Sequence, residues 1–147
     1  MSSQQSQHNS LSLRQVEVGD VLQDFVLPPI TRHTLAVYCG ASGDHNPIHV
    51  DSDFATASGL DDVIAHGMLV MSYCSRALLK WVPQSAIKEF DTRFKAMTHV
   101  GDIITVKIKI TDVIDKAGAK SITLALTATN QHSEVKTTGS ATVTIDC

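Results

Sequence analysis

One segment, residues 66–83, restricts the folds open to this chain more than any other feature of the sequence. His66-Gly67 opens it and Pro83 stops it. At helical spacing its apolar residues occupy nearly every face, which is typical of a helix buried on most sides. A chain of 147 residues has room for one main core, so the rest of the domain must cover this helix. The apolar positions are Met68, Leu69, Val70, Met71, Tyr73, Cys74, Ala77, Leu78, Leu79, Trp81 and Val82.

The C-terminal half has the pattern of a β-sheet that could pack against this helix. Apolar and polar residues alternate with period two, which predicts strands at 90–94, 104–111, 121–127 and 135–145. Lys116-Ala117-Gly118 has the composition of a hairpin turn. Consecutive strands joined by short turns pair mostly antiparallel. The predicted fold class is therefore α+β, with an antiparallel sheet wrapped around one long central helix.

The N-terminal third predicts shorter elements. A strand is expected within 21–27, then a helix capped by Thr31 that runs to about Ala41, and a short helix capped by Asp51 or Ser52. Residues 1–14 are expected to form a flexible tail, with a single domain over 15–147. The first ten residues lack the apolar core of a signal peptide.

Composition excludes several classes of protein. With 43% apolar and 18% charged residues the chain should fold, and its formal charge of −3 provides no basic field for nucleic acid. The odd number of cysteines, three, gives little support for disulfides or a zinc site and favours a reducing compartment. No apolar run reaches the roughly 18 residues needed to cross a bilayer. We expect a soluble, cytoplasmic protein with no membrane partner.

The loop Gly43-Asp44-His45-Asn46-Pro47-Ile48-His49 carries the chemistry. Pro47 interrupts helical geometry and stiffens the backbone. A carboxyl group and an imidazole that reach one water can exchange protons with it near neutral pH. The plainer interpretation is that Asp44 and Asn46 satisfy turn amides and His49 lies on the surface.

A second candidate lies at the start of the apolar helix, in Ala65-His66-Gly67-Met68. The first N–H groups of a helix lack intrahelical partners, and the helix dipole is positive there. Gly67 has no Cβ, so a ligand carbonyl can approach its N–H, which could stabilise a developing enolate oxygen. Alternatively, Gly67 only lets the chain turn tightly into the helix. His66 caps the helix or lines the site.

These two stretches resemble the MaoC-like family of (R)-specific enoyl-CoA hydratases and (3R)-hydroxyacyl-ACP dehydratases. The likeness includes the Gly43-Asp44-x-Asn46-Pro47-x-His49 block, the following Asp51 and Phe54-Ala55, the start of the apolar helix at His66-Gly67-Met68, and the interval between them. It extends from about Val16 to the C-terminus. It implies a hot-dog fold, in which an antiparallel sheet wraps a long helix.

The resemblance also implies roles for individual residues. Asp44 and His49 resemble the catalytic pair that shares one water, and Asn46 a residue that orients that water. Gly67 resembles the oxyanion donor to the thioester carbonyl. Ser75 resembles a serine that hydrogen-bonds the catalytic carboxylate, or it is an ordinary small residue of a packed helix. The implied activity is that of a hydro-lyase on acyl-CoA or acyl-ACP thioesters, without a cofactor, in a homodimer or a heterodimer.

Three alternatives remain open at this point. The chain could be a hot-dog thioesterase, since that reaction also needs the oxyanion donor. It could be a non-catalytic, acyl-binding subunit of a heteromeric dehydratase. Asp44, His45, His49 and His66 have residue types that suit a divalent metal, but their spacing matches no standard ligand pattern, so we predict no metal. Candidates to border an acyl tunnel, if they are not simply core, are Met68, Met71, Tyr73, Phe90 and Phe94.

Overall fold

A five-stranded antiparallel sheet forms most of the domain in the computed structural model, which describes residues 13–147. The strand order is β1-β3-β4-β5-β2, so β1 and β2 are the edge strands. The long strands β3, β4 and β5 are joined by short turns, which confirms the predicted antiparallel arrangement. The strands are β1 (Phe25–Val26), β2 (Ile87–Phe94), β3 (Thr105–Lys116), β4 (Ala119–Thr129) and β5 (Val135–Asp146).

Three α-helices precede the long strands within residues 13–147: α1 (Arg32–Ser42), α2 (Ser52–Ala57) and α3 (Gly67–Leu79). The hydroxyl of Thr31 accepts the Thr34 N–H at 3.1 Å, which confirms the predicted cap of α1. Asp51, one of the two proposed caps of α2, accepts the N–H groups of Asp53 and Phe54. These side chains satisfy backbone donors that have no partner within the helix.

The core lies between α3 and the sheet. α3 contacts β3, β4 and β5. Apolar residues alternate along β3 as predicted: Ile104, just before the strand, and Val106, Ile108 and Ile110 within it are all buried. The buried face of α3 consists of Leu69, Val70, Tyr73, Cys74, Ala77 and Leu78.

Three details of the sequence interpretation are wrong. Within this chain α3 is not buried on nearly every side, because Met68 and Leu79 are 54% and 39% exposed. The helix also ends at Leu79, where a turn closed by the carbonyl of Leu78 carries the chain to Val82. The strand expected within 21–27 is shortened to Phe25–Val26, with an isolated bridge at Val21.

The N-terminal boundary differs slightly from the expected one. Of the tail proposed at 1–14, residues 1–12 lie outside the described residues. Leu13 is fully buried, and the Lys120 ammonium donates to the Arg14 carbonyl at 2.6 Å, so these two residues pack with the domain. Between residues 13 and 147, no helix combines the length and apolar character that a membrane span requires.

Candidate active site

The loop that carries Asp44 is shaped by its own side chains. Gly43 ends α1 in the left-handed conformation (φ 77°), and its N–H donates to the Cys39 carbonyl. Asp44 Oδ1 then accepts the Asn46 N–H at 3.3 Å, and Asn46 Oδ1 accepts the Ile48 N–H at 3.1 Å. Asn46 thereby starts the short 3₁₀ turn that ends at His49. The turn-forming role that the plainer interpretation gave to Asp44 and Asn46 is present, and Asp44 Oδ2 is left over for other contacts.

His49 is held in one orientation by the chain that leads into α3. Its Nδ1 lies 2.7 Å from the carbonyl oxygen of Ile64. A carbonyl can only accept, so Nδ1 carries the hydrogen and Nε2 of the neutral ring has a free lone pair. Nε2 lies 3.9 Å from Asp44 Oδ2. That distance is too long for a direct hydrogen bond, but one water oxygen can lie about 2.8 Å from both atoms.

The two side chains differ in their contact with solvent. The His49 side chain is 11% exposed, whereas that of Asp44 is 53% exposed. His45, between them in the sequence, is exposed, as expected. The arrangement is therefore a mostly buried imidazole with its reactive nitrogen directed at a carboxylate that water or a ligand can reach.

His66 lies directly behind this pair, which the sequence did not specify. Its ring stacks on the ring of His49, with centroids 3.7 Å apart and an interplanar angle of 24°. Its Nε2 donates to the main-chain carbonyl of Asp44 at 3.2 Å, and the Cys39 thiol donates to the same oxygen at 3.0 Å. The edge of Tyr38 meets the other side of the ring. His66 occupies the N-cap position of α3, as one of its two proposed roles required, but its side chain makes no capping hydrogen bond.

The surroundings of His66 keep it neutral. Its ring is 1% exposed, and burial lowers its pKa from the ordinary value of 6.5. The neighbouring His49 acts in the same direction, while the hydrogen bond to Asp44 and the Asp44 charge oppose it. Nδ1 of His66 has no hydrogen-bond partner among the described residues.

Gly67 and His49 line the same cavity, which has a volume of about 380 Å³. Gly67 is the first residue of α3, and no side chain caps that helix. A Cβ at position 67 would lie 3.1 Å from the ring of Phe94, so glycine permits a close approach by this side chain. Of the five residues proposed to border an acyl tunnel, only Phe94 lines this cavity. Its other walls include Val70, Met97, Thr98 and Thr137.

Ser75 is not placed as the sequence interpretation expected. Its hydroxyl donates to the Ser72 carbonyl at 2.9 Å, one turn earlier in α3. No hydrogen bond joins it to Asp44 within residues 13–147. A serine inside a helix can satisfy its hydroxyl with a carbonyl of the preceding turn, and Ser75 does so here.

The same cluster was considered as a metal site. Ligand atoms of Asp44, His49 and His66 all lie within 4.8 Å of one another. Zinc binds along the in-plane lone pairs of imidazoles at about 2.0–2.1 Å. Two rings stacked 3.7 Å apart direct those lone pairs along nearly parallel planes, so they do not converge on one ion. The geometry favours proton transfer over metal binding.

The pH dependence of stability provides a test of the buried state of His66. Because burial lowers its folded-state pKa, the unfolded chain binds a proton here at a higher pH than the folded chain does. The contribution of His66 to the free energy of unfolding is thus fully present above pH 6.5 and is lost as the pH decreases below that value. We predict that His66→Gln, which keeps an N–H near the position of Nε2, removes up to about 1.4 kcal/mol per pH unit of this slope.

Urea unfolding of the two proteins at several pH values on both sides of 6.5 measures the difference. Equal slopes in the wild type and in His66→Gln would show that His66 titrates alike in the folded and unfolded chains, contrary to its placement.

Comparison with known proteins supports the family resemblance that was drawn from the sequence motifs. Residues 16–133 match the family model described as a MaoC-like domain. The (R)-specific enoyl-CoA hydratase of Rhodospirillum rubrum is 30% identical over 118 residues, covering 79% of this chain and 80% of the relative. The solved structure of the (R)-hydratase from Aeromonas caviae involved in PHA biosynthesis has 26% identity and a TM-score of 0.75, covering 88% of this chain and 97% of that one.

The same kind of domain is also found within far longer proteins. The fatty acid synthase β subunit of Gibberella zeae is 35% identical over 86 residues, which is 56% of this chain, and the matched part is only 4% of that protein. The likeness to that protein thus concerns one domain of it. On the family match over residues 16–133 and the likeness to solved hydratases, the chain belongs to the MaoC-like family, and its sheet and long helix form a hot-dog fold.

Proposed function

We propose that this protein is a hydro-lyase that interconverts trans-2-enoyl thioesters and (3R)-3-hydroxyacyl thioesters, carried by CoA or by an acyl carrier protein. One observation carries the proposal. His49 presents a free Nε2 3.9 Å from the Asp44 carboxylate, and His49 shares its cavity with the start of α3 at Gly67. Membership of a hydratase and dehydratase family supports the reaction class.

The geometry accounts for each proton of the hydration. A water between the two side chains gives one proton to Nε2 of His49 while its oxygen bonds to C3 of the substrate. The electrons of the C2–C3 double bond move towards C1, which leaves an enolate with the negative charge on the thioester oxygen. The His49 proton then passes to the Asp44 carboxylate, and C2 takes it from that carboxyl group as the enolate collapses, so both side chains return to their starting states. Acid and base groups so positioned each contribute about 10²–10⁴ in rate.

Gly67 supplies the electrostatic part of the reaction. A carbanion at C2 is unstable unless its charge moves onto the carbonyl oxygen. The N–H of Gly67 has no side-chain cap competing for it, and Gly67 lines the same cavity as His49. In this proposal that N–H donates to the thioester oxygen as charge develops, a contribution commonly worth about 10²–10³ in rate.

Two other functions fit the site less well. A thioesterase would also use Gly67, but it would not need an imidazole and a carboxylate that converge on one water beside an alkene. A non-catalytic acyl-binding subunit would not need His49 to be fixed through Nδ1 with its other nitrogen free. The intact pair of Asp44 and His49 therefore favours the hydro-lyase.

We further propose that the protein acts as a homodimer, with a heterodimer as the alternative. The strand β2 lies at one edge of the sheet. Met68, Phe94 and Met97 are each more than half exposed in the single chain, and Phe94 and Met97 border the cavity. A second subunit would cover this apolar surface and could complete the acyl site.

Product analysis tests the proposed reaction. We predict that the purified protein converts short, medium or long trans-2-enoyl-CoA into the corresponding 3-hydroxyacyl-CoA, mainly as the 3R isomer. Chromatography resolves substrate from product, and an S-specific dehydrogenase coupled to the assay reports the stereochemistry. Free CoA as the main product would identify a thioesterase, and no turnover with either carrier would favour a binding subunit.

Removal of either proton-transferring group should reduce turnover sharply. We predict that Asp44→Asn and His49→Ala each lower kcat by about two orders of magnitude or more, with a much smaller change in KM. The double variant should lose far less than the product of the single effects, because the two groups act as a unit. Steady-state kinetics measures all three proteins.

His45→Ala is the matched control, since this neighbour in the same loop is exposed and should turn over like the wild type. Thermal melts show whether each variant is folded. A folded Asp44→Asn protein with nearly normal kcat would refute the acid–base assignment and leave Asp44 with its turn-forming role alone.

The role of the Gly67 N–H can be separated from the effect of filling its space. Proline is tolerated at the first position of a helix, and His66 already has the extended conformation (φ −60°, ψ 134°) that a following proline requires. Gly67→Pro therefore removes the N–H, whereas Gly67→Ala adds a Cβ near Phe94 and keeps the N–H. We predict that kcat of the proline variant lies about 10²–10³ below that of the alanine variant.

Kinetics of the two folded variants with the same enoyl thioester decides the point. Equal kcat values for Gly67→Pro and Gly67→Ala would exclude the N–H of Gly67 as the oxyanion donor, whatever their common level.

A further inference from the structure

Lys136 is a charged side chain that the proposed chemistry does not use, yet it is completely buried. Among the large side chains of the described residues that have no appreciable solvent exposure, Lys136 has the greatest residue volume. Lysine is almost never fully buried unless its ammonium is paired. Its position therefore requires a physical reason.

A β-bulge directs Lys136 inwards. In the pairing of β4 with β5, Ala128 lies opposite Thr137 and Thr129 lies opposite Val135, so Lys136 is an extra residue of β5 without a partner in β4. Such a bulge breaks the alternation of side chains between the two faces of a sheet. As a result, the consecutive residues Lys136 and Thr137 are both buried.

The ammonium group has an acceptor for each of its three hydrogens. Nζ donates to the Met97 carbonyl at 2.7 Å and to Glu134 Oε2 at 2.8 Å, and it lies 3.4 Å from Asp102 Oδ2. Asp102 is itself held by Asn130 Nδ2 at 3.2 Å and by the His99 N–H at 2.9 Å. A lysine with three satisfied donors is a poor proton donor to a substrate but a rigid support.

What Lys136 supports is the segment 94–98, which forms one wall of the cavity. The wall is tied at one end by the Lys95 N–H to the Lys136 carbonyl at 2.9 Å, and at the other by the Ala65 N–H to the Thr98 carbonyl at 2.8 Å. Between these ties, the Lys136 ammonium is the hydrogen-bond partner of the Met97 carbonyl among residues 13–147. Within the single chain Met97 is 53% exposed, so little apolar packing inside the subunit holds it in place.

We propose that Lys136 is a positioning residue that fixes the Met97 wall of the cavity and thereby determines which acyl chains the enzyme accepts. The proposal rests on the proposed function, since the cavity must receive the thioester. Buried ion pairs contribute little net stability compared with apolar residues of similar size, and where they are retained they can specify one arrangement of the chain. Lys136 specifies the arrangement of a wall in contact with the substrate.

Lys136→Met tests this role, because methionine fills the space without a donor. We predict that kcat/KM, measured over trans-2-enoyl-CoA substrates of increasing length, becomes less selective, with the ratio of best to poorest substrate falling by about tenfold. The change should lie in KM, with kcat for the best substrate altered less than about twofold. Lys136→Gln, which keeps one donor for Met97, should restore part of the selectivity.

Glu134→Gln is the matched control. It removes the charge of a partner whose side chain is 53% exposed, and it leaves the Lys136–Met97 bond in place, so it should keep the wild-type selectivity. A folded Lys136→Met protein with unchanged selectivity would overturn the proposal. So would a fall in kcat at constant KM, which would place Lys136 in the chemistry.

Hydrogen exchange separates this inference from the proposed reaction. In the folded wild type, the amides of Lys95, within the wall, and of His99, just after it, should exchange about as slowly as those of β5. In Lys136→Met they should exchange faster, with β3 and β4 unchanged, whether or not the protein hydrates any thioester. Rapid exchange at both amides in the wild type would overturn the proposal, even if neither Lys136 variant folded.

Discussion

Burial of one face of α3 against the sheet is the constraint on which the other features depend. The inward side chains of β3 and β4 meet Leu69, Val70, Ala77 and Leu78, and this apolar contact fixes the position of α3. Hydrophobic burial has no preferred direction, but here it fixes a helix whose N-terminus does have one. The start of α3 is thereby held at the edge of the core, where Gly67 lines the cavity.

The loop that carries Asp44 and His49 depends on that helix start. Ile64, three residues before α3, orients His49 through its carbonyl, and its own N–H donates to the Ile48 carbonyl at 3.2 Å. His66 and Cys39 both donate to the main-chain carbonyl of Asp44. The carboxylate, the imidazole and the first N–H of α3 are thus held by one connected set of hydrogen bonds, although they come from two separate stretches of the sequence.

Local rules predicted much of this structure. The caps of α1 and α2, the alternation of β3 and β4, and the start of α3 follow from residue type and spacing, because neighbours along the chain determine them. The stack of His66 on His49 and the bond of Ser75 to Ser72 depend on where whole elements meet or on the choice between equivalent acceptors. Lys136 is the clearest case. Its β5 sequence reads as an ordinary strand, and only the pairing with β4 shows the bulge that turns its side chain inwards.

His66 and Lys136 are two buried basic residues near the cavity. The free-energy cost of burying each of them is offset in a different way. His66 has no carboxylate paired to its ring, so burial lowers its pKa and it stays neutral. A neutral ring can stack on His49 without repelling the proton that His49 takes from water in the proposed reaction. The Lys136 ammonium has two carboxylates beside it, and a charged donor holds a carbonyl more firmly than a neutral one does. An ammonium behind His49 would oppose protonation of the reacting ring, while a neutral donor at position 136 would hold the wall more weakly. The charge is therefore placed at the wall and kept away from the site of the proposed proton transfer.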